Sequence, residues 1–426
     1  MQRSYLLSID FKVTSLTEWA AQLKMNPLYA ILSGFEPDNT PGVGTFYDFF
    51  NRLWNSDDDP MSPHIHPMKT KVKKPKTKGT KADSVEKVTV ADLLPTLEKT
   101  DFKLDEQPYS SLFKIYQKEF LEISVSTGLT HAYSLALAGD GTPVVTSHRE
   151  RKKRICKCKE NGLHDCNCDR YFSQPDCDIG WDSSRDCYYH GYDLYMLVDS
   201  QSDLPVFPHF SCASKHDSHG FLHAFFRMKS FLPEYSVSKV LLDSAHDAMP
   251  YYQYFKRENI TLFINLNGKG GRPPVYKNDF TIDKDGVPIC PSGYRMRRDG
   301  IEVAKGRMKF KCPKISHADG CISCTCKKPC SNAKYGRTVH LVLKDNPRLF
   351  NNPPRSSKEW KLEYNARTSA ERSNKREKLD FKLEDGRHRS TKMWYCRLYH
   401  ILMLQHLDAW DLPPESPLKK LILNAA

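Results

Sequence analysis

A series of short apolar segments between residues 108 and 266 constrains the fold of this chain most strongly. The stretch YSLALAGDGTPVVTS reads as two strands joined by a turn at Gly139-Asp140-Gly141, and YDLYMLVD and LPVFPHFSCA read as further strands. Apolar residues at helical intervals then predict a helix in DSHGFLHAFFRMKSFL, with Asp217 or Ser218 as its N-cap. The strand VSKVLLD, the helix AMPYYQYFKREN and the strand ITLFINL follow. This order of strands and helices indicates an α/β fold.

The residues before these segments differ from them in composition. Residues 1–55 repeat apolar side chains at helical spacing, and Thr45 is a suitable N-cap for the helix in TFYDFFNRLW. This helical segment is either a DNA-binding unit of the helix-turn-helix type or a small helical cap. Residues 56–107 are predicted to be a basic linker, because seven lysines and no acid lie between Lys69 and Lys81. The linker either contacts phosphates or serves only as a solubilising tether.

Two further regions interrupt the pattern of strands and helices. Residues 267–345 are rich in Gly, Pro, Lys, Arg and Cys and have no sustained periodicity. An inserted subdomain is expected there, because structureless loops of that length are uncommon in compact domains. A shorter Cys-rich excursion covers residues 150–188. After the insertion, we expect a charged helix and a second helix over 346–412, followed by a tail over 413–426.

The charge of the chain indicates a polyanionic partner. Lys and Arg outnumber Asp and Glu by 64 to 51, which gives a net charge of +13. Nucleic acid and an anionic membrane surface both fit this charge. The N-terminal residues lack the apolar core of a secretory signal, and no apolar run is long enough to span a membrane. We therefore expect a protein of the reducing cytosol.

The fourteen cysteines are clustered, which in a reducing compartment favours metal binding over disulfides. Four thiolates can close a tetrahedral zinc site. One candidate zinc group comprises Cys156, Cys158, Cys166 and Cys168. The other comprises Cys312, Cys321, Cys324, Cys326 and Cys330. Buried or idle thiols are the alternative for both groups.

The segment EYNARTSAERSNKREK carries four residues at steps of three, four and seven, namely Tyr364, Arg367, Glu371 and Lys378. On one continuous helix these side chains would point within an arc of roughly 60°. Such a stripe is either one wall of an active site or the solvated face of a charged helix.

Three acids complete a candidate site. Asp140 and Asp243 are expected at strand ends, and Glu371 is expected on the final helix. Acids that converge repel one another unless cations lie among them, and carboxylate oxygens favour Mg²⁺ or Mn²⁺. A pair of such ions supports phosphodiester chemistry. Asp247 is a weaker alternative to Asp243, and His246 is either a further site residue or an ordinary polar residue at a helix start.

The ordered set of these residues resembles the bacterial insertion-sequence DDE transposases. The signature Y-(2)-R-(3)-E-(6)-K is present, preceded by AGDGT at 138–142 and LLDSAHD at 241–247, and the resemblance covers roughly residues 10–405. TPGVGTFYDFFNRL resembles the N-terminal helical segment of the family, and CPSGYRM…KFKC…CSNAKYGR resembles its Cys-containing insert. The resemblance implies a ribonuclease-H-like mixed sheet flanked by helices, with an N-terminal helical domain and a Cys-rich insertion before the last catalytic helix.

The resemblance also implies an activity. Asp140, Asp243 and Glu371 would be the Mg²⁺ or Mn²⁺ ligands, and Tyr364, Arg367 and Lys378 would hold DNA phosphates. The expected enzyme cleaves double-stranded DNA at transposon ends, transfers the strands into target DNA and acts as a homodimer, in the nucleoid-associated cytoplasm of a bacterium without a membrane partner. Two alternatives stay open: a non-catalytic DNA-binding protein derived from a transposase, and a metal-dependent nuclease without strand transfer.

Overall fold

The protein forms two compact units. The structure, a computed structural model, describes residues 1–56, 64–66, 88–146, 153–154, 157–164, 170–172, 177–267, 275–276, 280–318, 321–386, 388 and 390–411. The first unit comprises residues 1–237 and 368–426, and the second comprises residues 238–367. The lysine-rich part of the predicted linker and the predicted tail over 413–426 lie outside the described residues.

The elements are numbered in chain order. The helices are α1 (Gln2–Asp10), α2 (Leu16–Met25), α3 (Pro27–Ser33), α4 (Val43–Arg52), α5 (Val90–Lys99), α6 (Ser110–Tyr116), α7 (Glu122–Ser126), α8 (Asp217–Phe231), α9 (Met249–Arg257), α10 (Lys358–Asn365), α11 (Thr368–Lys375) and α12 (Thr391–Asp411). The strands are β1 (His64–His66), β2 (Leu135–Val145), β3 (Lys153–Arg154), β4 (Arg170–Phe172), β5 (Asp178–Asp182), β6 (Cys187–Asp199), β7 (Pro205–Cys212), β8 (Val237–Leu242), β9 (Thr261–Ile264), β10 (Val275–Tyr276), β11 (Phe280–Ile282), β12 (Pro288–Ile289), β13 (Arg297–Glu302), β14 (Arg307–Lys311), β15 (Ile315–Ala318), β16 (Cys321–Cys324) and β17 (Thr338–Val342).

Strand β6 organises the main sheet of the first unit. One edge pairs antiparallel with β2, from Leu137 opposite Asp199 to Val145 opposite Gly191. The other edge pairs antiparallel with β5 over its first residues and with β7 over the remainder. The apolar segments predicted as strands thus form strands, and they pair with their neighbours in sequence, as consecutive antiparallel strands commonly do.

The predicted turn at Gly139-Asp140-Gly141 is wrong. Strand β2 runs without interruption for 11 residues and has Asp140 at its middle. Neither glycine has a positive φ, which a turn at these positions would favour. Gly141 instead permits close approach, because a Cβ there would lie 2.8 Å from Oδ1 of Asp217 at the start of α8.

Helices α8 and α11 cover opposite faces of this sheet. Gly141 faces α8, and Asp140, the preceding residue, faces Asn374 of α11. Successive side chains of a strand point to opposite faces, so the sheet lies between the two helices. In the second unit β8 and β9 pair in parallel. The chain is therefore a mixed α/β protein with antiparallel and parallel strand pairs and with helices flanking its main sheet, in agreement with the coarse prediction.

Two predicted N-caps differ from the structure. The N-cap of α8 is His216, whose ring nitrogen Nδ1 accepts a hydrogen bond from the Ser218 N–H at 3.2 Å, so neither Asp217 nor Ser218 has this position. Helix α4 begins at Val43 with Gly42 as N-cap, which leaves Thr45 inside the first turn. An imidazole or a glycine can satisfy a helix start, although hydroxyl and carboxylate side chains are the commoner signal.

The N-terminal helices pack within the first unit. The Tyr5 ring lies 4.7 Å from that of Phe50 in α4 and 4.8 Å from that of His400 in α12. This contact covers apolar faces of α1 and α4, as a helical cap would. Part of the predicted linker is also helical, since Thr89 and Asp92 form a capping box at the start of α5. No helix in the described part of the chain is long and apolar enough to cross a membrane.

The region predicted to be an inserted subdomain has strands and a core of its own. Strands β10, β11 and β12 form one small sheet, β13, β14 and β17 form a second, and β15 pairs with β16. Side chains such as Met308, Phe310 and Leu341 are buried between these strands and the segment around Phe350. The sequence of this region shows no sustained periodicity because each strand is only two to six residues long.

The signature segment is not one continuous helix. Helix α10 ends at Asn365, Ala366 and Arg367 form a turn, and α11 begins at Thr368. The turn is closed by hydrogen bonds from Ala366 N to Glu363 O at 3.1 Å and from Arg367 N to Tyr364 O at 3.0 Å, which are tighter than α-helical bonds. A π-helical turn over Arg376–Asp380 then extends α11. The single arc of four side chains, which assumed an unbroken helix, is therefore wrong.

Glu377 is a buried acid at the junction of α11 and α12. Its Oε1 accepts hydrogen bonds from Ser373 Oγ at 3.3 Å and from Gln405 Nε2 at 3.4 Å, and its side chain is fully buried. Burial raises the pKa of Glu377 to about 8, although the two hydrogen bonds and the charges of Arg376 and Lys378 oppose the shift. The folded protein thus retains this proton at a pH where the unfolded chain has lost it.

We expect Glu377→Gln to change how stability depends on pH. A raised pKa in the folded state makes the free energy of unfolding fall between about pH 4.5, where the unfolded carboxyl titrates, and about pH 8. The fall amounts to at most about 5 kcal/mol. Glutamine keeps the acceptor oxygen but does not titrate, so the variant should lose this decline in urea unfolding measured from pH 4 to 9. The exposed Glu119→Gln is the control, and an unchanged profile for Glu377→Gln would contradict the assignment.

Candidate active site

Asp140 lies at the centre of the candidate site in the first unit. Its side chain is half-buried on the α11 face of β2, where Asn374 Nδ2 donates to its Oδ2 at 3.4 Å. Glu371 lies one helical turn before Asn374, and residues three apart share a helix face. Its side chain is exposed. The predicted strand-end position of Asp140 is wrong, but the strand and the glutamate helix are in contact.

Lys378 joins the same helix to the same strand. Its Nζ donates to the carbonyl oxygen of Pro143 at 2.7 Å and forms an ion pair with Glu384 at 3.2 Å. Glu384 in turn accepts a hydrogen bond from the Val145 N–H at 2.8 Å. The ammonium that was predicted to hold phosphate thus has two partners within the protein, and in this arrangement it positions α11 on β2.

An acid pair that sequence reasoning missed lies on the opposite face of the sheet. A Cβ at Gly141 would lie 2.8 Å from Asp217 Oδ1 and 3.4 Å from Asp193 Oδ1. The two carboxylates therefore lie close to each other above Gly141. Asp193 is 5% exposed, and its Oδ2 has no hydrogen-bond partner among the described residues. Burial, together with the charges of Asp217 and Asp140, raises the pKa of Asp193 well above its usual value. An aspartate inside the apolar strand YDLYMLVD was the available signal.

Asp243 occupies a distinct environment in the second unit. It follows the last residue of β8, as predicted, and its Oδ1 accepts hydrogen bonds from Ala245 N at 3.0 Å and His246 Nδ1 at 2.6 Å. Burial alone would raise the pKa of Asp243, but His246, the Ala245 N–H and the charge of Arg367 together hold this pKa below its usual value. His246 is almost fully buried. Its hydrogen bond to Asp243 makes it a direct partner of the predicted site residue.

Asp247, the alternative to Asp243, has a structural role. Its carboxylate is fully buried and accepts from Arg348 Nε at 2.8 Å and from Arg348 Nη2 at 2.6 Å. Further hydrogen bonds come from Tyr252 Oη at 2.9 Å and from the Asn267 N–H at 2.7 Å. A carboxylate that accepts four hydrogen bonds, two of them from one bidentate arginine, has little capacity for an additional ligand. The preference for Asp243 stays a prediction.

Tyr364 and Arg367 lie at the end of the second unit. The Tyr364 ring stacks on that of Trp360 at 4.6 Å, and the Arg367 guanidinium lies 5.9 Å from the Tyr364 ring. Arg367 is also close enough to Asp243 to lower its pKa. These residues thus bring a cation and an aromatic ring to the vicinity of the predicted metal ligand within one unit.

The described residues contain no preformed metal site. Among the residues that the structure describes, no three His, Cys, Asp or Glu side chains are grouped closely enough to hold a metal ion. Of the first cysteine group, Cys156, Cys166 and Cys168 lie outside the described residues, and Cys158 is half-buried. Of the second group, the side chain of Cys321 is likewise outside them, and the other four line one cavity in the second unit.

Comparison with known proteins adds no family. No protein-family model and no curated protein matches this chain. Function must therefore be argued from the residues themselves.

We expect Asp193→Asn to stabilise the protein at neutral pH. The pKa of Asp193 is raised in the folded state. Its stabilising contribution to the free energy of unfolding is therefore present at low pH and is lost as the pH rises through the folded pKa. Asparagine removes the buried charge and can donate to Asp217, a gain on the order of 1 kcal/mol or more. Urea unfolding with a chelator present should show this gain at pH 7 and no difference near pH 3.

The exposed Asp186→Asn provides a matched control for that experiment. Asp186 has a φ of 51°, a conformation that asparagine also tolerates, so this exchange should leave stability nearly unchanged. Equal stability of Asp193→Asn and the unsubstituted protein at both pH values would contradict the assigned environment.

Proposed function

We propose that the chain is a Mg²⁺- or Mn²⁺-dependent DNA transposase with a ribonuclease-H-like catalytic core. The order of elements along the chain supports this proposal. The antiparallel strands β2, β6 and β7 precede α8, and α9 lies between the parallel strands β8 and β9 in the sequence. The inserted region comes before α11 and α12. The observation that carries it is the contact of Asn374 with Asp140, because it joins the strand of the first aspartate to the helix of the glutamate.

The donor set suits the proposed ion in chemical terms. Asp140, Asp243 and Glu371 offer hard carboxylate oxygens, which Mg²⁺ and Mn²⁺ prefer. The lowered pKa of Asp243 keeps that carboxylate ionised at neutral pH. The proposed ligand set comprises all three of these carboxylates. When bound, the ions would activate the attacking oxygen and stabilise the leaving oxygen.

The proposed reaction has two phosphoryl-transfer steps. Water attacks the phosphorus of a phosphodiester at the transposon end, the bond from phosphorus to the 3′ oxygen breaks, and that oxygen takes up a proton to become a 3′-OH. This 3′-OH then attacks a phosphodiester of target DNA and displaces its 3′ oxygen. His246 fixes the orientation of Asp243, and Lys378 fixes α11 on β2.

Arg367 is the first candidate for a phosphate contact. Its guanidinium lies near Asp243 and against the Tyr364 ring, where it can donate to phosphate oxygens beside the proposed ligand. The net charge of +13 provides further attraction for double-stranded DNA, which weakens steeply with salt. Two ends must be joined, and we therefore propose a homodimer in the DNA complex.

The proposal is tested by nicking and joining of a supercoiled plasmid that carries the genomic DNA from both sides of the coding sequence. With Mg²⁺ or Mn²⁺, the unsubstituted chain should nick this plasmid and form joined products. Asp140→Asn, Asp243→Asn and Glu371→Gln should each reduce nicking at least about 100-fold, because each removes charge from the metal site. DNA binding in a mobility-shift assay should persist.

Asp408→Asn is the matched control. Asp408 forms a partly exposed ion pair with Arg376, between α12 and the turn that follows α11, and lies outside the proposed ligand set. Nicking without joined product would favour the nuclease alternative. DNA binding without nicking under either metal would favour the non-catalytic DNA-binding protein, which the absence of a preformed three-ligand group among the described residues also fits.

A further inference from the structure

Five cysteine thiols from residues 290–330 line one cavity in the second unit. They are Cys290, Cys312, Cys324, Cys326 and Cys330, and each is a free thiol. Free cysteines are usually buried singly as small apolar side chains. A cavity with five of them needs a different explanation, since sulfur is the preferred ligand of zinc in structural sites.

The two innermost thiols are fixed by tight backbone turns. Cys290 is 4% exposed, and its turn is closed by hydrogen bonds from Gly293 N to Cys290 O at 2.8 Å and from Cys290 N to Tyr294 O at 2.9 Å. Cys312 is 8% exposed, and its N–H donates to Arg337 O at 2.9 Å. Gly336 has a φ of 71°, and a Cβ there would come 3.0 Å from the Cβ of Cys312. Glycine is thus required for the wall of the cavity.

The remaining thiols lie on a loop that is tied to the Cys290 turn. Ser292 Oγ donates to Lys328 O at 2.7 Å, and the Cys326 thiol donates to the same carbonyl at 3.3 Å. Cys330 is in hydrogen-bond contact with Cys290 and within electrostatic range of Cys312. Cys326 and Cys330 are half-buried, whereas Cys324 is exposed at the rim. The depth of each thiol therefore separates four candidate ligands from a fifth.

Two cationic groups lie at or near this cavity. Arg337 lines the cavity and acts electrostatically on Cys330, and Lys314 lies over the ring of Tyr294 with its Nζ 4.7 Å from the ring centre. One Zn²⁺ with four thiolates has a net charge of −2, and nearby cations offset such a charge. Arg337 would therefore offset part of the negative charge once a metal ion is bound.

We propose that Cys290, Cys312, Cys326 and Cys330 bind one structural Zn²⁺ with tetrahedral four-sulfur coordination. The four sulfurs are not grouped at bonding distance, so binding draws the loop of Cys326 and Cys330 onto the two buried thiols and releases the thiol protons to solvent. The ion fastens this loop to the small sheets of the inserted region. This site is independent of the proposed transposase activity. It revises the sequence-based group by including Cys290 and leaving out the exposed Cys324, whereas the side chain of Cys321 lies outside the described residues.

The test is the zinc content of the purified full chain, measured by inductively coupled plasma mass spectrometry after dialysis against zinc-free buffer. Each of Cys290→Ser, Cys312→Ser, Cys326→Ser and Cys330→Ser should contain about one zinc ion per chain less than the unsubstituted protein. Cys324→Ser is the matched control from the rim of the same cavity and should keep its zinc. Any zinc bound by the first cysteine group would be common to all variants and would cancel in this comparison.

A spectroscopic readout separates loss of a ligand from loss of the fold. The protein loaded with Co²⁺ should show the sulfur-to-cobalt charge-transfer absorption of a thiolate site. Cys330→His should keep the cobalt but with weaker charge-transfer absorption and shifted visible bands, because an imidazole replaces one thiolate. Unchanged zinc in Cys290→Ser, zinc loss in Cys324→Ser equal to that in Cys290→Ser, or identical cobalt spectra for Cys330→His and the unsubstituted protein would each overturn the proposal.

Discussion

The attachment of α11 to β2 is the constraint on which the candidate site of the first unit depends. Asn374 donates to the Asp140 carboxylate, and Lys378 donates to the Pro143 carbonyl three residues further along the strand. Glu384 completes the attachment by pairing with Lys378 and accepting from the Val145 N–H. These contacts fix the helix that carries Glu371 along the strand that carries Asp140. A signature lysine thus acts in the first place as a structural link.

The aspartates of the two units lie in contrasting electrostatic environments. Asp243 has a histidine, a backbone N–H and an arginine as partners, which keep it ionised. Asp193 is buried near Asp217, and burial together with the charges of Asp217 and Asp140 raises its pKa. Pairs of acids whose environments separate their pKa values are typical of functional sites, although buried structural networks also produce such shifts. Asp193 interacts electrostatically with both Asp217 and Asp140, so these acids belong to the electrostatic environment of the candidate site.

The sequence predicted the types of the elements better than their junctions. Apolar patterns identified β6, β7, α8, β8, α9 and β9, because the strands contain runs of buried apolar residues and the two helices bury apolar side chains at helical spacing. The Gly139-Asp140-Gly141 stretch was misread because glycine marks both turns and close backbone approach, and only the position of Asp217 distinguishes them. The break at Ala366-Arg367 carries no glycine or proline, so it left no sequence signal.

Long-range partners were the other limit of the sequence. Asp193 stood within an apolar strand, but its neighbour Asp217 lies on a helix that packs against Gly141 on the same face of the sheet. The contact between Cys290 and the cavity cysteines likewise arises from turns more than twenty residues apart in the sequence. Such contacts depend on tertiary packing, which neither spacing nor composition specifies.

The proposed function makes Asp140, Asp243 and Glu371 ligands of the same metal ions. Iron-mediated cleavage measures this directly, because Fe²⁺ bound in place of Mg²⁺ produces radicals, in the presence of ascorbate and peroxide, that cut the nearby backbone. The account predicts cuts in the segments around Asp140, Asp243 and Glu371 within one preparation, all suppressed by excess Mg²⁺ and all lost in Asp140→Asn. Cuts confined to one of these segments, or cuts that Mg²⁺ does not suppress, would contradict it.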